Sequence, residues 1–325
     1  QVYNHVIMPL ANSRDKITQI RWGIADYENH YGSGPEGMWL SETAVDSETL
    51  ELLAQHGIKF TILAPSQCKR IRPLKQDATE ADPIWTTPLA NSVDTMRPYL
   101  MRFDSGVSIV IFFYDGPTSR AIAFEGLLNS GEAFAARLKA GFEDNVQPQL
   151  ESVATDGESY GHHHRHGEMA LAYALKLLEQ DKTVKLTNYA SFLEEFPPDW
   201  ECEIAENTSW SCAHGVERWR SDCGCNGGKP GFNQKWRAPL RKALDELRDS
   251  ITPLTQELGS ELFVDVWGAR DAYIEVILDR SEEVVDRFLA AHQKHPLNST
   301  ERVRAMQLME MQRHAQLMYT SCGWF

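Results

Sequence analysis

The sequence has 325 residues, 42% of them hydrophobic and 24% charged, an ordinary globular mixture with room for one large domain or two smaller ones. Its formal net charge of −14 repels phosphate backbones, which excludes nucleic acid as a partner but leaves a neutral polymer such as a polysaccharide. No apolar run approaches the ~20 residues of a membrane span.

The two ends and the cysteines bear on the cellular location. The chain begins with Gln1 rather than Met, and 323–325 is bulky (GWF), so we expect a piece of a longer chain or a processed one. No secretory signal is visible. Six cysteines in a chain of this length do not form a small disulfide scaffold. We therefore expect reduced thiols and a cytoplasmic protein.

The first two thirds alternate helical and strand-like patterns. A helix is predicted over 13–31, with Ser13 as N-cap and Gly32 as C-cap. Later elements are a strand over 37–40, a helix over 46–56, a strand over 58–64, an irregular excursion over 66–105, a doubly buried strand over 107–114 (VSIVIFFY), helices over 118–128 and 130–143, a strand over 150–155, a helix over 167–180 and a strand over 184–186. This alternation predicts an α/β fold with parallel pairing.

The chain changes character near residue 200. Residues 200–236 are rich in Cys, Gly, Trp and Ser and show little periodicity. Three amphipathic helices are then predicted over 237–250, 270–292 and 299–320. No Gly-x-Gly-x-x-Gly run follows a strand, so a dinucleotide-binding fold has no support.

Two carboxylates follow predicted strands. Glu42 follows 37–40 after one intervening residue, and Asp156 comes directly after 150–155. In parallel α/β proteins active sites form at the carboxyl ends of strands, so we expect Glu42 to project into a cleft beside Trp39. The pattern equally allows Glu42 or Asp46 to cap the next helix.

The segment after Asp156 is unusual. Gly157 and Gly161 permit a tight turn, and four His lie between positions 162 and 166. His162 and His166 have the i, i+4 spacing of helical zinc ligands, which keeps a metal site open as an alternative. Two carboxylates instead suit glycoside chemistry, in which one attacks the anomeric carbon and the other protonates the leaving oxygen. Glu158 either raises the pKa of that acid or faces away.

A third cluster, 206–219 (ENTSWSCAHGVERW), is too polar for a core and too aromatic for a plain loop. We interpret it as a wall that contacts sugar. Cys212-x-His214 and Cys223-x-Cys225 offer a four-ligand zinc set, but their one-residue gaps depart from the usual spacing of two to four. The thiols otherwise pack as small apolar groups.

These segments resemble glycoside hydrolase family 57, which contains α-amylases, 4-α-glucanotransferases and glycogen branching enzymes. Segment 37–42 (GMWLSE) is similar to the family's nucleophile motif, although Ser41 stands where Pro or Ala is commoner. The resemblance gives the nucleophile role to Glu42. Segment 156–162 (DGESYGH) is similar to the acid/base motif and gives that role to Asp156.

Further segments match the family in order. Segment 4–10 (NHVIMPL) resembles a site-lining motif, and 113–115 (FYD) resembles a strand-end segment of branching-enzyme-like members. Segment 209–214 resembles the last motif. His163 and His164 stand where relatives often have Trp, so the resemblance does not identify the bound sugar. The resemblance implies substrate contacts from His5, Trp39, Asp115, Glu158, His162, Trp210 and His214.

Family membership implies an incomplete (β/α)7-type barrel followed by an α-helical domain. The corresponding division is a catalytic barrel portion over 1–199, a substrate-wall loop over 200–236 and a helical domain over 237–325. Family membership also implies retention of anomeric configuration through a glycosyl-enzyme intermediate, with no metal or organic cofactor. The expected partner is an α-glucan oligosaccharide or polysaccharide. The chain is most similar to a subgroup with an extra helical region and the Cys-rich loop.

One departure leaves alternatives open. The family's first motif, a His-x-His-Gln-Pro-like segment, does not occur here. Either upstream residues are missing or the barrel lacks its first strands. A zinc-dependent sugar deacetylase-like hydrolase using Asp156 and the His run, and a non-catalytic glucan-binding protein, stand beside the retaining glycosidase or transferase as hypotheses.

Overall fold

The computed structural model describes residues 1–75, 81, 83–89, 92–144, 147–226 and 228–324. The chain packs as two compact units, which we call the split unit (1–58 with 206–325) and the middle unit (59–205). Parts of the predicted excursion over 66–105 and of the Cys-rich segment, and Phe325, lie outside the described residues. The domain boundaries drawn after residues 199 and 236 stay a prediction.

The described strands all lie in the middle unit and form one five-stranded sheet in the order β1-β4-β3-β5-β2. They are β1 (Phe60–Leu63), β2 (Cys68–Pro73), β3 (Pro98–Arg102), β4 (Ser108–Phe113) and β5 (Trp200–Ile204). The β1–β4 and β3–β5 pairs are parallel, whereas β3–β4 and β2–β5 are antiparallel. The predicted strands over 58–64 and 107–114 are confirmed, and 109–113 is entirely buried.

Parallel pairing is therefore confirmed for β1 and β4, the two strands that were predicted, but it does not extend to β3–β4 or β2–β5. A short turn joins β3 to β4, with Gly106 at φ +89°, a left-handed conformation that suits glycine and lets the chain reverse. Strands β2, β3 and β5 lie in segments predicted to be irregular. Arg72 Nε of β2 donates to Glu201 Oε2 of β5 at 2.6 Å. Because such charged residues are paired only across the sheet, the strands that carry them have the composition of polar loops in the sequence.

Three segments that were predicted to be strands do not form strands in the structure. They are 37–40, 150–155 and 184–186. The second of these makes single backbone contacts instead of a ladder. Leu150 N donates to Met96 O at 2.9 Å, and Asp115 N donates to Ser152 O at 2.7 Å. An extended, partly apolar segment thus gave the pattern of a strand without repeated pairing.

The helices are α1 (Ser13–Tyr31), α2 (Ser47–Gln55), α3 (Gly116–Phe124), α4 (Gly131–Lys139), α5 (Gly167–Gln180), α6 (Tyr189–Glu195), α7 (Arg237–Leu262), α8 (Val266–Ala272), α9 (Ile274–Leu278), α10 (Glu282–His292) and α11 (Ser299–Leu317). In the middle unit, α5 buries Ala170, Ala174 and Leu178 against α4 and its neighbours. Their four-residue spacing places them on one helix face, as the periodicity over 167–180 predicted.

The split unit contains the remaining helices. Helix α1 ends at Gly32 (φ +70°) as predicted, but its N-cap is Asn12, whose Oδ1 accepts from Asp15 N at 2.9 Å, rather than Ser13. The predicted 270–292 helix is replaced by α8, α9 and α10. Asp279 after α9 is extended (φ −139°), and Ser281 then caps α10. Within the described residues, none of the helices combines the length and apolarity needed to cross a bilayer.

Candidate active site

Glu42 lies in a strained backbone turn of the split unit. The turn covers Ser41–Thr43, with φ +57° at Glu42 and φ +49° at Thr43. Residues with side chains avoid this region, and a β-branched residue such as Thr43 avoids it most. Each such residue costs of order 1–3 kcal/mol, and such strain clusters at functional sites. The backbone therefore marks Glu42 as a functional candidate independently of its motif.

A neighbouring segment stabilises this turn. Val45 N donates to Thr208 O at 3.0 Å, forming an antiparallel bridge. Trp210 N donates to Glu42 O at 3.1 Å and to Thr43 Oγ1 at 3.0 Å. Two regions far apart in the sequence are thus joined through their backbones at the strained residues.

The Glu42 carboxylate is held by an aromatic side chain. Trp210 Nε1 donates to Glu42 Oε2 at 3.0 Å, and the Trp39 and Trp210 rings meet edge to face with centroids 5.1 Å apart. Asp46, not Glu42, caps α2, since Asp46 Oδ1 accepts from Thr49 N at 2.9 Å. The sequence had allowed either Glu42 or Asp46 to cap this helix. The Glu42 carboxylate instead accepts from Trp210, whose ring packs against Trp39.

His5 and His214 belong to other local clusters of the split unit. His5 Nδ1 lies 2.6 Å from Ser321 Oγ, and Ser321 N donates to His5 O at 2.9 Å. His214 Nδ1 lies 3.6 Å from Cys225 Sγ and 3.9 Å from Cys212 Sγ. The Nδ1 atom of each histidine is therefore engaged by side chains of the protein itself. Among the predicted sugar-contacting residues of this unit, Trp210 donates to Glu42 and Trp39 packs against the Trp210 ring.

Asp156 lies in the middle unit, directly before a short 3₁₀ turn (Gly157–Ser159). Its side chain is exposed, and its carbonyl accepts from Ser159 N at 3.0 Å. Glu158 is also exposed, and its Oε2 lies 3.7 Å from His163 Nε2. The loop therefore presents two carboxylates and the exposed His162 in sequence order.

The His run does not converge on one point. His164 Nε2 lies 2.8 Å from Ala123 O and anchors the loop, while the exposed His162 and His163 rings contact each other at 5.0 Å. In the part of the chain that the structure describes, potential metal ligands converge at Cys212, His214, Cys223 and Cys225, and that group contains neither Asp156 nor His162. This arrangement counts against a zinc-dependent hydrolase built on Asp156.

Asp115 caps α3 through Thr118 N at 3.1 Å and forms an acid pair with Glu151. Burial, followed by the charge and hydrogen bond of Asp115, raises the pKa of Glu151 to about 8, against the opposing charge of Arg137. Glu151 was not predicted as a site residue, although it lies within the predicted strand over 150–155, directly after Leu150. A carboxyl group that is protonated near neutral pH is characteristic of functional sites.

Replacing Glu151 by Gln should stabilise the protein at alkaline pH. The folded chain keeps this proton up to a pKa of about 8, whereas the unfolded chain releases it near 4.5. The stability that this proton supplies is therefore complete at low pH and is lost as pH rises through the folded pKa. We expect the variant's Tm to equal wild type near pH 4 and to exceed it by roughly 2–4 °C at pH 8.

Differential scanning fluorimetry over this pH range is the measurement, with Glu179→Gln, an exposed glutamate of α5, as the matched control. An equal change for both variants, or parallel pH profiles for Glu151→Gln and wild type, would show that Glu151 ionises normally.

The sequence matches two family models. The model described as Glycosyl hydrolase family 57 matches residues 1–205. A model described as Domain of unknown function (DUF3536) matches residues 232–325. A comparison with curated proteins finds no match.

Solved structures share the fold at low identity. A novel exo-type maltose-forming amylase from Pyrococcus sp. ST04 aligns with 100% of this chain and 57% of its own, at TM-score 0.74 and 15% identity. A 4-alpha-glucanotransferase from Thermococcus litoralis aligns over 77% of this chain and 33% of its own, at TM-score 0.50 and 17% identity. A branching enzyme from Thermococcus kodakaraensis aligns over 98% and 71%, at TM-score 0.57 and 16% identity. The chain thus spans little more than half of the first of these proteins and a third of the second.

Proposed function

The chain belongs to glycosyl hydrolase family 57, and we propose that it hydrolyses or transfers α-glucan links with retention of configuration, using Glu42 as nucleophile and Asp156 as proton donor. The observation that carries this proposal is the Glu42 carboxylate, which is held by Trp210 Nε1 at 3.0 Å on a strained turn. A preoriented carboxylate beside aromatic rings suits attack on a sugar carbon.

The proposed reaction has two steps. In the first, a Glu42 oxygen bonds to the anomeric carbon while the glycosidic bond breaks, and Asp156 gives its proton to the leaving oxygen. In the second, water or a sugar hydroxyl loses its proton to Asp156 and attacks the same carbon, which frees Glu42. A water acceptor gives hydrolysis and a sugar acceptor gives transfer.

The other predicted residues would bind the substrate. Trp39 and Trp210 would stack on sugar faces, and His5, Asp115, Glu158 and His162 would hydrogen-bond to hydroxyls. His214 would contribute through Nε2, because its Nδ1 faces two thiols. The proposed architecture is an incomplete (β/α)7-type barrel with a helical domain. The fold similarity to the maltose-forming amylase supports it. That the similar proteins are an amylase, a 4-alpha-glucanotransferase and a branching enzyme supports an α-glucan substrate.

The experiment is to incubate the protein with maltoheptaose and follow the anomeric protons of the new reducing ends by NMR. Retention predicts that the α-anomer appears first, before mutarotation produces β. Initial release of the β-anomer would exclude a glycosyl-enzyme intermediate. Longer oligosaccharides among the products would identify a transferase. Binding of maltoheptaose without turnover would instead favour the glucan-binding hypothesis.

Replacing Trp210 by Phe tests how Glu42 is oriented. The variant keeps an aromatic face for the sugar but loses the Nε1 donor to Glu42 Oε2. A hydrogen bond to a charged group is worth about 1.5–3 kcal/mol, so we expect kcat to fall by about 10- to 150-fold while KM changes little. Steady-state kinetics on maltoheptaose measures both constants. Trp85→Phe in the middle unit is the matched control, and a rise in KM at constant kcat would mean that Trp210 serves binding alone.

A further inference from the structure

We propose that Cys212, His214, Cys223 and Cys225 form a closed structural site for one zinc ion, which differs from the expectation of no metal. Three Sγ atoms and one imidazole nitrogen lie within 4.8 Å of one another. Three thiolates with one imidazole is a ligand set of structural zinc sites. All four residues belong to the split unit, and the inference does not depend on the proposed activity.

The distances fit a tetrahedron of ligands. Zinc–sulfur bonds of about 2.3 Å and zinc–nitrogen bonds of about 2.0–2.1 Å place neighbouring ligand atoms about 3.5–3.8 Å apart. Cys225 Sγ lies 3.6 Å from His214 Nδ1, and Cys212 Sγ lies 3.9 Å from the same nitrogen. The two sulfurs are 4.0 Å apart. All cysteines of the chain are free, and these sulfurs are about twice as far apart as in a disulfide, where the bond is about 2.05 Å.

The local charge also fits. Three thiolates, a neutral imidazole and Zn²⁺ sum to a single negative charge. Arg237 is buried (2% exposed), and its Nη1 donates to Cys223 Sγ at 3.5 Å while its Nη2 donates to Trp324 O at 2.8 Å. No carboxylate within the described ranges forms an ion pair with Arg237. A buried guanidinium requires a compensating charge, and the metal–thiolate group supplies it while receiving an N–H···S bond that orients a ligand.

Two glycines explain how such short spacings converge. Gly224, between Cys223 and Cys225, has φ +80°. Gly215, next to His214, has φ +73°, and a Cβ there would lie 2.2 Å from Asn207 O. Chain reversals at both glycines let Cys-x-His and Cys-x-Cys pairs face one ion, which the usual spacing rule did not anticipate.

The site has a structural purpose in its surroundings. Between Glu206 and Trp236, the only described helical element is a 3₁₀ turn (Glu217–Trp219), so few backbone ladders stabilise this stretch. A four-ligand ion would cross-link its two halves and contribute directly to folding. Cys212 follows Trp210 by two residues, so the ion would also stabilise the segment that contacts Glu42. With all four positions taken by protein, the ion would have no place for substrate.

Metal analysis of the purified protein tests this inference. Protein produced with zinc in the medium should contain about one zinc ion per chain by plasma mass spectrometry. Cys225→Ser and His214→Ala, at a partly buried and an exposed position, should each lose most of the metal. Cys68→Ser, a cysteine on β2 outside the cluster, should retain it. Replacement by cobalt should give the intense visible bands of a tetrahedral thiolate complex.

Three results would overturn the site. One is wild-type protein with far less than one zinc ion per chain, and with no tetrahedral cobalt spectrum after reduction. Another is equal metal loss in Cys68→Ser and Cys225→Ser. The third is a Cys212–Cys225 disulfide found by mass spectrometry of alkylated peptides. Because the wild-type measurements need no variant to fold, and none of the readouts is activity, failure of the proposed catalysis would leave this test intact.

Discussion

Replacing Glu42 by Gln is expected to lower kcat on maltoheptaose on the order of 10³-fold or more, because it removes the atom that attacks the sugar. The fold should be retained, since an amide oxygen can still accept from Trp210 Nε1, the donor that lies 3.0 Å from Glu42 Oε2. Initial rates together with the far-UV circular dichroism of the variant measure the two effects separately.

Chemical rescue distinguishes a nucleophile from a residue that only binds. In Glu42→Ala, azide can occupy the space of the lost carboxylate, and attack from that face should yield the β-glycosyl azide from an α-glucoside with a good leaving group. Glu28→Gln, an exposed glutamate of α1, is the matched control and should keep wild-type rates. Undiminished turnover by Glu42→Gln would remove this residue from the mechanism.

Asp156→Ala is expected to lower kcat by about 10²- to 10⁴-fold on natural oligosaccharides, the range that general acid catalysis supplies. The loss should be much smaller on aryl glucosides, because a good leaving group departs without a proton. Azide should then attack the glycosyl-enzyme intermediate and give the α-glycosyl azide, opposite in configuration to the Glu42→Ala product. Rates across a series of leaving groups measure the effect.

The control for this variant is Asp144→Asn, an exposed aspartate of the same unit. An equal loss on all substrates, whatever their leaving group, would mean that Asp156 does not donate the proton. The deficit would then lie in binding or in folding, and Glu151, whose pKa is raised to about 8, would be the next acid to test.

Local patterns in the sequence were sufficient to predict several helices and strands. Helices α1 and α5 follow from periodicity and from residues within their own span. Strand β4 follows from an unbroken apolar run. Strands β2 and β5 could not be predicted in this way. Arg72 and Glu201, which pair across these two strands, are 129 positions apart in the chain, so no local window contains both charges.

Some features of the candidate site were likewise predictable from local motifs, whereas others depend on contacts between distant residues. The motifs around Glu42 and Asp156 pointed to carboxylate chemistry, but no local pattern predicts left-handed backbone at the buried Thr43. The raised pKa of Glu151 depends on Asp115 approaching it in three dimensions. The convergence of Cys212 with Cys225 depends on two glycine turns that a spacing rule does not describe.

The split unit has a consequence for synthesis on the ribosome. Asp15 pairs with Arg270 Nη1 at 2.7 Å, and Val45 bridges Thr208, so the first 58 residues emerge well before their packing partners are made. The middle unit, which is continuous in sequence, can fold first. Helix α1 must meanwhile keep apolar surface exposed, and such non-local closure is slow and prone to aggregation. Nascent chains stalled near residue 205 should therefore engage chaperones through residues 1–58.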